Sequence, residues 1–99
     1  MPARVMVFAR IDTNDRPAFE EAFAAVSRTV RGTPGHITDA LLRSEDDPGA
    51  YILLSEWESR EAFLAWEDAP VHREATTPMR PFWQGSVERR IYETAVGHA

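Results

Sequence analysis

An α+β fold of the split βαβ, ferredoxin-like kind is predicted by three features of this 99-residue sequence. Segments with strand and helix character alternate in the order β-α-β-β-α-β, the connections between them are short, and no apolar run departs from that scheme. Four antiparallel strands with helices on one face satisfy this order, in the single domain that the length supports.

Arg4 to Ile11 is rich in Val, Ile and Phe and reads as the first strand. Asn14 or Asp15 can cap the helix that follows, and Pro17 is tolerated in its first turn. Phe19, Ala22, Phe23, Val26 and Val30 then recur every third or fourth position, a one-sided apolar stripe on a helix running to about Arg31. Gly32-Thr-Pro-Gly35 ends it. His36 to Arg43 and Ala50 to Trp57 form a hairpin across the turn Ser44 to Gly49. Ser59 caps a short helix carrying Phe63 and Trp66. Pro70 opens another that runs to about Thr77, where Pro78 and Pro81 interfere. Gly85 precedes a last strand, Ser86 to Glu93. Residues 3–94 are thus expected to form the domain and residues 95–99 a mobile tail.

Alternation along the first strand puts Val5, Val7, Ala9 and Ile11 on one face and Met6, Phe8 and Arg10 on the other. Both faces are largely apolar. Helices within the chain cover only one, so a homodimer packed sheet to sheet is expected, with Val7 facing the partner.

The composition narrows the chemistry. There is no cysteine, which excludes disulfides, thiolate nucleophiles and Cys-bound metals. There is no lysine either, so no Schiff base forms on the chain. The net charge of −5 argues against a nucleic-acid partner. The apolar runs are too short for a signal peptide or for the ~18 residues that cross a bilayer, so the expected setting is cytoplasmic, away from membranes. His36, His72 and His98 are far apart, with no paired spacing, and no metal site is expected. Phosphate-binding glycine loops and a Gly-x-Ser-x-Gly elbow are absent from the sequence.

What remains is a set of large rings, Phe8, Trp57, Phe63, Trp66, Phe82 and Trp83, with a single titratable neighbour. Trp66, at a helix end, can wall a cleft between helix and sheet. His72 follows six residues later; turned inward, it is the only imidazole expected near these rings, and the natural general base. Arg89 and Arg90 point to opposite faces, so at most one enters a pocket. Glu56 and Asp39 are expected at an exposed edge or seam.

The segment Ser55-Glu-Trp57-Glu-Ser59-Arg-Glu-Ala-Phe63-Leu-Ala-Trp66, followed by Ala69-Pro70-Val-His72-Arg-Glu-Ala75, resembles the antibiotic biosynthesis monooxygenase family of dimeric α/β-barrel proteins. Gly32-Thr-Pro-Gly35 and Leu41-Leu42-Arg43 fit the same pattern. The resemblance implies a homodimer acting on a phenolic or polycyclic, polyketide-like aromatic substrate, with O₂ as co-substrate. Cofactor-independent quinone-forming members use a tryptophan at the end of the third strand, matched by Trp57, and an asparagine on the first strand, where this chain has Phe8. Heme-degrading members use a tryptophan nine residues further on, matched by Trp66, and a helical histidine ligand at the position of Ala75 or Thr76. His72 lies about one turn away, so specific heme ligation is not expected, although heme or reduced flavin stays open as a cofactor. On this basis Trp57, Trp66 and His72 are the candidate catalytic residues, and Met6, Phe8, Phe63, Met79 and Phe82 the candidate pocket walls. The alternatives are a heme-binding or heme-degrading monooxygenase, and a non-oxidative cyclase, isomerase or ligand-binding barrel.

Overall fold

A computed structural model describes residues 2–97; residues 98 and 99 of the expected tail, with His98, lie outside them. The order is β1 (Ala3–Arg10), a 3₁₀ turn (Thr13–Asp15), α1 (Arg16–Val30), β2 (His36–Arg43), β3 (Ala50–Trp57), α2 (Arg60–Asp68), α3 (Pro70–Thr76), a 3₁₀ segment (Thr77–Phe82) and β4 (Glu88–Glu93). The strands form one antiparallel sheet in the order β2-β3-β1-β4, the ferredoxin-like arrangement.

Local chemistry adjusts several boundaries. Asp15 holds the N-cap position of α1 but makes no side-chain capping bond; the bond is one turn earlier, where Asp12 Oδ1 accepts the Asn14 N–H at 2.8 Å and starts the 3₁₀ turn. Ser59 caps α2, its hydroxyl accepting the Ala62 N–H at 3.1 Å. Ala69, extended at ψ 141°, separates α2 from α3. Pro78 and Pro81 do not end the helical path; they tighten it into the 3₁₀ segment, since each lacks the N–H an α-helical bond needs. β4 begins at Glu88, two residues later than expected.

The face assignment differs from expectation in one respect. Val7 points toward the helices, not toward a partner. Val5 sits opposite Ser55 and Ile91, and Val7 opposite Leu53 and Arg89. With Ala9, Tyr51 and Trp57 they line the side that α1, α2 and the 3₁₀ segment cover. Phe19 is fully buried there, its ring edge-on to Tyr51 at 5.2 Å and to Phe82 at 6.1 Å. Met6 and Phe8 face the opposite, open side, paired with Leu54 and Ile52.

Candidate active site

The sheet and the α2–α3 break enclose a small cleft of ≈ 100 Å³, lined by Val7, Leu53, Trp57, Phe63, Trp66 and Met79 among apolar groups, and by His36, Asp39, Glu67, His72, Thr76 and Arg89 among polar ones. Three surface grooves, of ≈ 580, ≈ 720 and ≈ 210 Å³, are larger, but their linings contain no imidazole or indole. The cleft gathers the groups that can bind a ring and move a proton.

Trp57 ends β3 and is almost wholly buried, 1% exposed. Its indole N–H donates to Ser55 Oγ at 3.0 Å, which fixes the ring. Trp66, two residues before the end of α2, lies tilted against it at 5.3 Å with 30° between the planes. Phe63 meets Trp57 edge-on at 5.6 Å. His72 enters from α3 because Ala69 resets the chain direction: its N–H bonds the Ala69 carbonyl at 3.0 Å. Its ring then stands edge-on to Trp66 at 4.4 Å. Burial pushes the His72 pKa below the ordinary 6.5, with the charge of Arg80 acting in the same direction and Glu67 against them. The imidazole is therefore held neutral, able to accept a proton.

His72 is not the only imidazole near the rings. Gly35, at φ +85°, lets β2 start where a side chain would collide: a Cβ there would lie 2.5 Å from the Ala62 Cβ. Its carbonyl accepts the Glu58 N–H at 2.7 Å. The irregular register that follows sets His36 opposite Trp57, with the rings 5.1 Å apart and 75° between planes. Asp39, expected at an edge, lines the cleft instead and accepts the Ser27 hydroxyl at 2.9 Å. Glu56 does face outward, paired with Arg4 at 3.4 Å. Of the two neighbouring arginines, Arg89 enters: it holds Glu67 through two bonds of 2.9 and 2.7 Å and lies 5.6 Å from the Phe63 ring.

Of the expected walls, Phe63 and Met79 are in place. Met6 and Phe8 are not, because the parity of β1 turns them to the open face; Phe82 is not, because it packs on Phe19 in the core. Among the described residues, no group of three His, Cys, Asp or Glu is placed to hold a metal ion, and no helix is long and apolar enough to cross a membrane.

The residues fit heme poorly. The family ligand position falls on Ala75 or on Thr76, and Thr76 is buried with its hydroxyl donating to the His72 carbonyl at 2.9 Å. The free space is well below the roughly 300–1,000 Å³ of drug-sized ligand pockets.

The chain is 36% identical to SchA of Streptomyces halstedii over 98 residues, 94% of this chain and 26% of that protein. It therefore spans about a quarter of that relative's length. It is 37% identical over 54 residues to a mycobilin-producing heme oxygenase of Mycobacterium tuberculosis, a match covering 54% of this chain and 51% of that one. Its fold superimposes on SnoaB of Streptomyces nogalater, a cofactor-independent oxygenase, with a TM-score of 0.80 at 18% identity, over 97% of this chain and 95% of that chain. The model of one family matches residues 2–77, the segment that carries β1 to β3, Trp57, Trp66 and His72. The chain belongs to the antibiotic biosynthesis monooxygenase family.

Proposed function

We propose that the cleft binds one phenolic ring of a polyketide-like aromatic and oxidises it with O₂, without a resident cofactor. The observation that carries this is a neutral imidazole, His72, edge-on to a tryptophan in an apolar cleft. The cleft, at ≈ 100 Å³, is smaller than the cavity of about 150 Å³ that takes benzene, so at most one ring enters it, reaching into the mouth, and any further rings lie outside.

In this reading Trp57 and Trp66, packed against each other at 5.3 Å, form one aromatic wall that orients the ring, and Phe63 and Met79 exclude water. His72 accepts the hydroxyl proton, and the electron-rich phenolate reduces O₂ directly. The balance is phenol plus O₂ giving quinone plus water. One oxygen atom becomes the new carbonyl; the other leaves as water with the hydroxyl hydrogen and the hydrogen of the oxidised carbon. The description of SnoaB as a cofactor-independent oxygenase supports this choice over heme chemistry, and a cytoplasmic setting belongs to the same proposal.

The test is oxygen uptake with 1-naphthol or an anthrone under ¹⁸O₂. One labelled oxygen per product, with uptake at limiting substrate reduced in Trp66→Ala in step with its weaker binding, is the expected result. Binding without oxygen uptake overturns the oxygenase and favours a cyclase, isomerase or binding barrel. A stoichiometric hemin Soret shift that His72→Ala removes favours the heme alternative.

The proposal extends to assembly. The open sheet face carries Met6, Phe8, Ile52 and Leu54 side by side, flanked by Arg4, Glu56, Glu88 and Arg90. An apolar centre bordered by both charge signs is self-complementary across a two-fold axis, so a second copy of this chain is its occupant.

A further inference from the structure

We propose that His36 is a second ligand-binding group of the cleft, and that the ring bound there carries two oxygens at non-adjacent positions. The inference rests on the phenol-binding reading above and adds the substitution pattern of the ligand. His36 lines the cleft, yet its Nε2 is buried without any hydrogen-bond partner. Among the described residues two other buried side-chain nitrogens lack partners, on Arg80 and Trp83, and neither lines the cleft.

Apart from His72, the polar groups around the rings are already engaged. Trp57 Nε1 donates to Ser55, Asp39 accepts from Ser27, and Arg89 is held by Glu67. A buried nitrogen left unpaired destabilises the fold unless something else completes it, and such an exception calls for an explanation. A phenolic hydroxyl can donate or accept, so it completes Nε2 in either tautomer.

Geometry sets the spacing of the two oxygens. His36 meets Trp57 at 5.1 Å, His72 meets Trp66 at 4.4 Å, and the indoles are 5.3 Å apart. The imidazoles thus stand against different indoles, an arrangement that favours two oxygens that diverge over two adjacent hydroxyls, which project the same way. A 1,3-dihydroxy ring has diverging oxygens, and it keeps the carbon para to a hydroxyl free for oxidation.

The experiment compares phenol, catechol and resorcinol binding under argon, followed by the indole N–H signals of Trp57 and Trp66 in NMR. Resorcinol should bind roughly threefold to tenfold more tightly than phenol, the range expected for one added hydrogen bond, with catechol resembling phenol. In His36→Leu the resorcinol-to-phenol ratio should fall to about one, and His36→Gln should restore part of it. An unchanged ratio in His36→Leu overturns the role of His36 while leaving phenol binding intact. If the leucine variant does not fold, the imidazole ¹⁵N signals of the wild-type protein decide: resorcinol and not phenol must shift His36 Nε2, and no shift overturns the proposal. If none of the three compounds perturbs the indole signals, the phenol-binding reading itself has failed, and this inference fails with it.

Discussion

The two faces of the sheet are built from alternate residues of the same strands and meet opposite fates. On one, Val5, Val7 and Ala9 lie beneath helices, which leave a small cleft beside Trp57. On the other, Met6, Phe8, Ile52 and Leu54 are nearly as apolar but have no helix over them. What separates them is the ends of each set. Arg4 and Arg10 share the parity of Met6 and Phe8, each paired to an exposed carboxylate, Glu56 and Asp47. Val5, Val7, Ala9 and Ile11 contain no charge at all. The uniformly apolar set goes under the helices because a guanidinium there would be desolvated without a partner.

The sharpest way to break this comparison is to place one charge on each face at adjacent positions. Val5, 1% exposed between Ser55 and Ile91, has no cation opposite it. Val5→Glu should cost several kcal/mol and leave the chain unfolded or melting far below wild type by circular dichroism. Wild-type melting in that variant would show that the two faces have been exchanged.

Met6→Glu should behave differently. Met6 lies opposite Arg90, so the new carboxylate gains a cross-strand partner and the chain keeps its fold. At the proposed seam, however, the charge should separate the subunits. Light scattering should change from twice the chain mass to 11.2 kDa with the far-ultraviolet spectrum retained. A wild-type mass of 11.2 kDa at micromolar concentration would refute the second-copy proposal and leave the open face to another partner.

Much of this molecule could be read before its structure. The hairpin strands β2 and β3 fall where composition and the Ser44 to Gly49 turn put them, and the break at Pro70 is real. Parity was the weak point, because both faces of β1 look apolar over four residues. The charged ends of the Met6 set were the available signal. His36 was missed for another reason. It is brought to Trp57 only by the β2–β3 register, and nothing local in the sequence encodes that pairing beyond the glycine before it. The choice between Arg89 and Arg90 likewise needed the β1–β4 register, which sets Arg89 beside Val7. Phe82 was expected as a wall, but the 3₁₀ path turns it toward Phe19.

Within the covered face, the two tryptophans should respond unequally to removal. Trp57 is buried on every side, and Trp57→Ala should cost roughly 3–5 kcal/mol in urea unfolding. Trp66 is only half-buried at the cleft wall. Trp66→Ala should lose clearly less stability but weaken phenol binding about threefold to tenfold, the range for one aromatic stacking contact. Equal stability losses, with binding unaffected, would make Trp66 a core residue like its neighbour.

The smallest expected effect is the pH dependence of His72, which has no counterpart on the open face. Its folded pKa lies below 6.5, chiefly through burial, so around that pH the unfolded chain binds the proton that the folded chain refuses. Unfolding is then favoured by acid: stability should be independent of this group well above 6.5, fall as the pH drops below 6.5, and level off once the pH has passed beneath the folded pKa. Activity should follow a related limb, because only the neutral imidazole can accept the phenolic proton. The rate should hold to below pH 6.5 and fall on the acid side of it, later than for a free histidine. His72→Gln should flatten the stability slope and remove the acid limb of the rate profile together, since one group causes both. If the stability slope vanishes while the rate profile keeps its limb, His72 is a buried neutral side chain and the proton acceptor is another group in the cleft, with His36 the first to substitute.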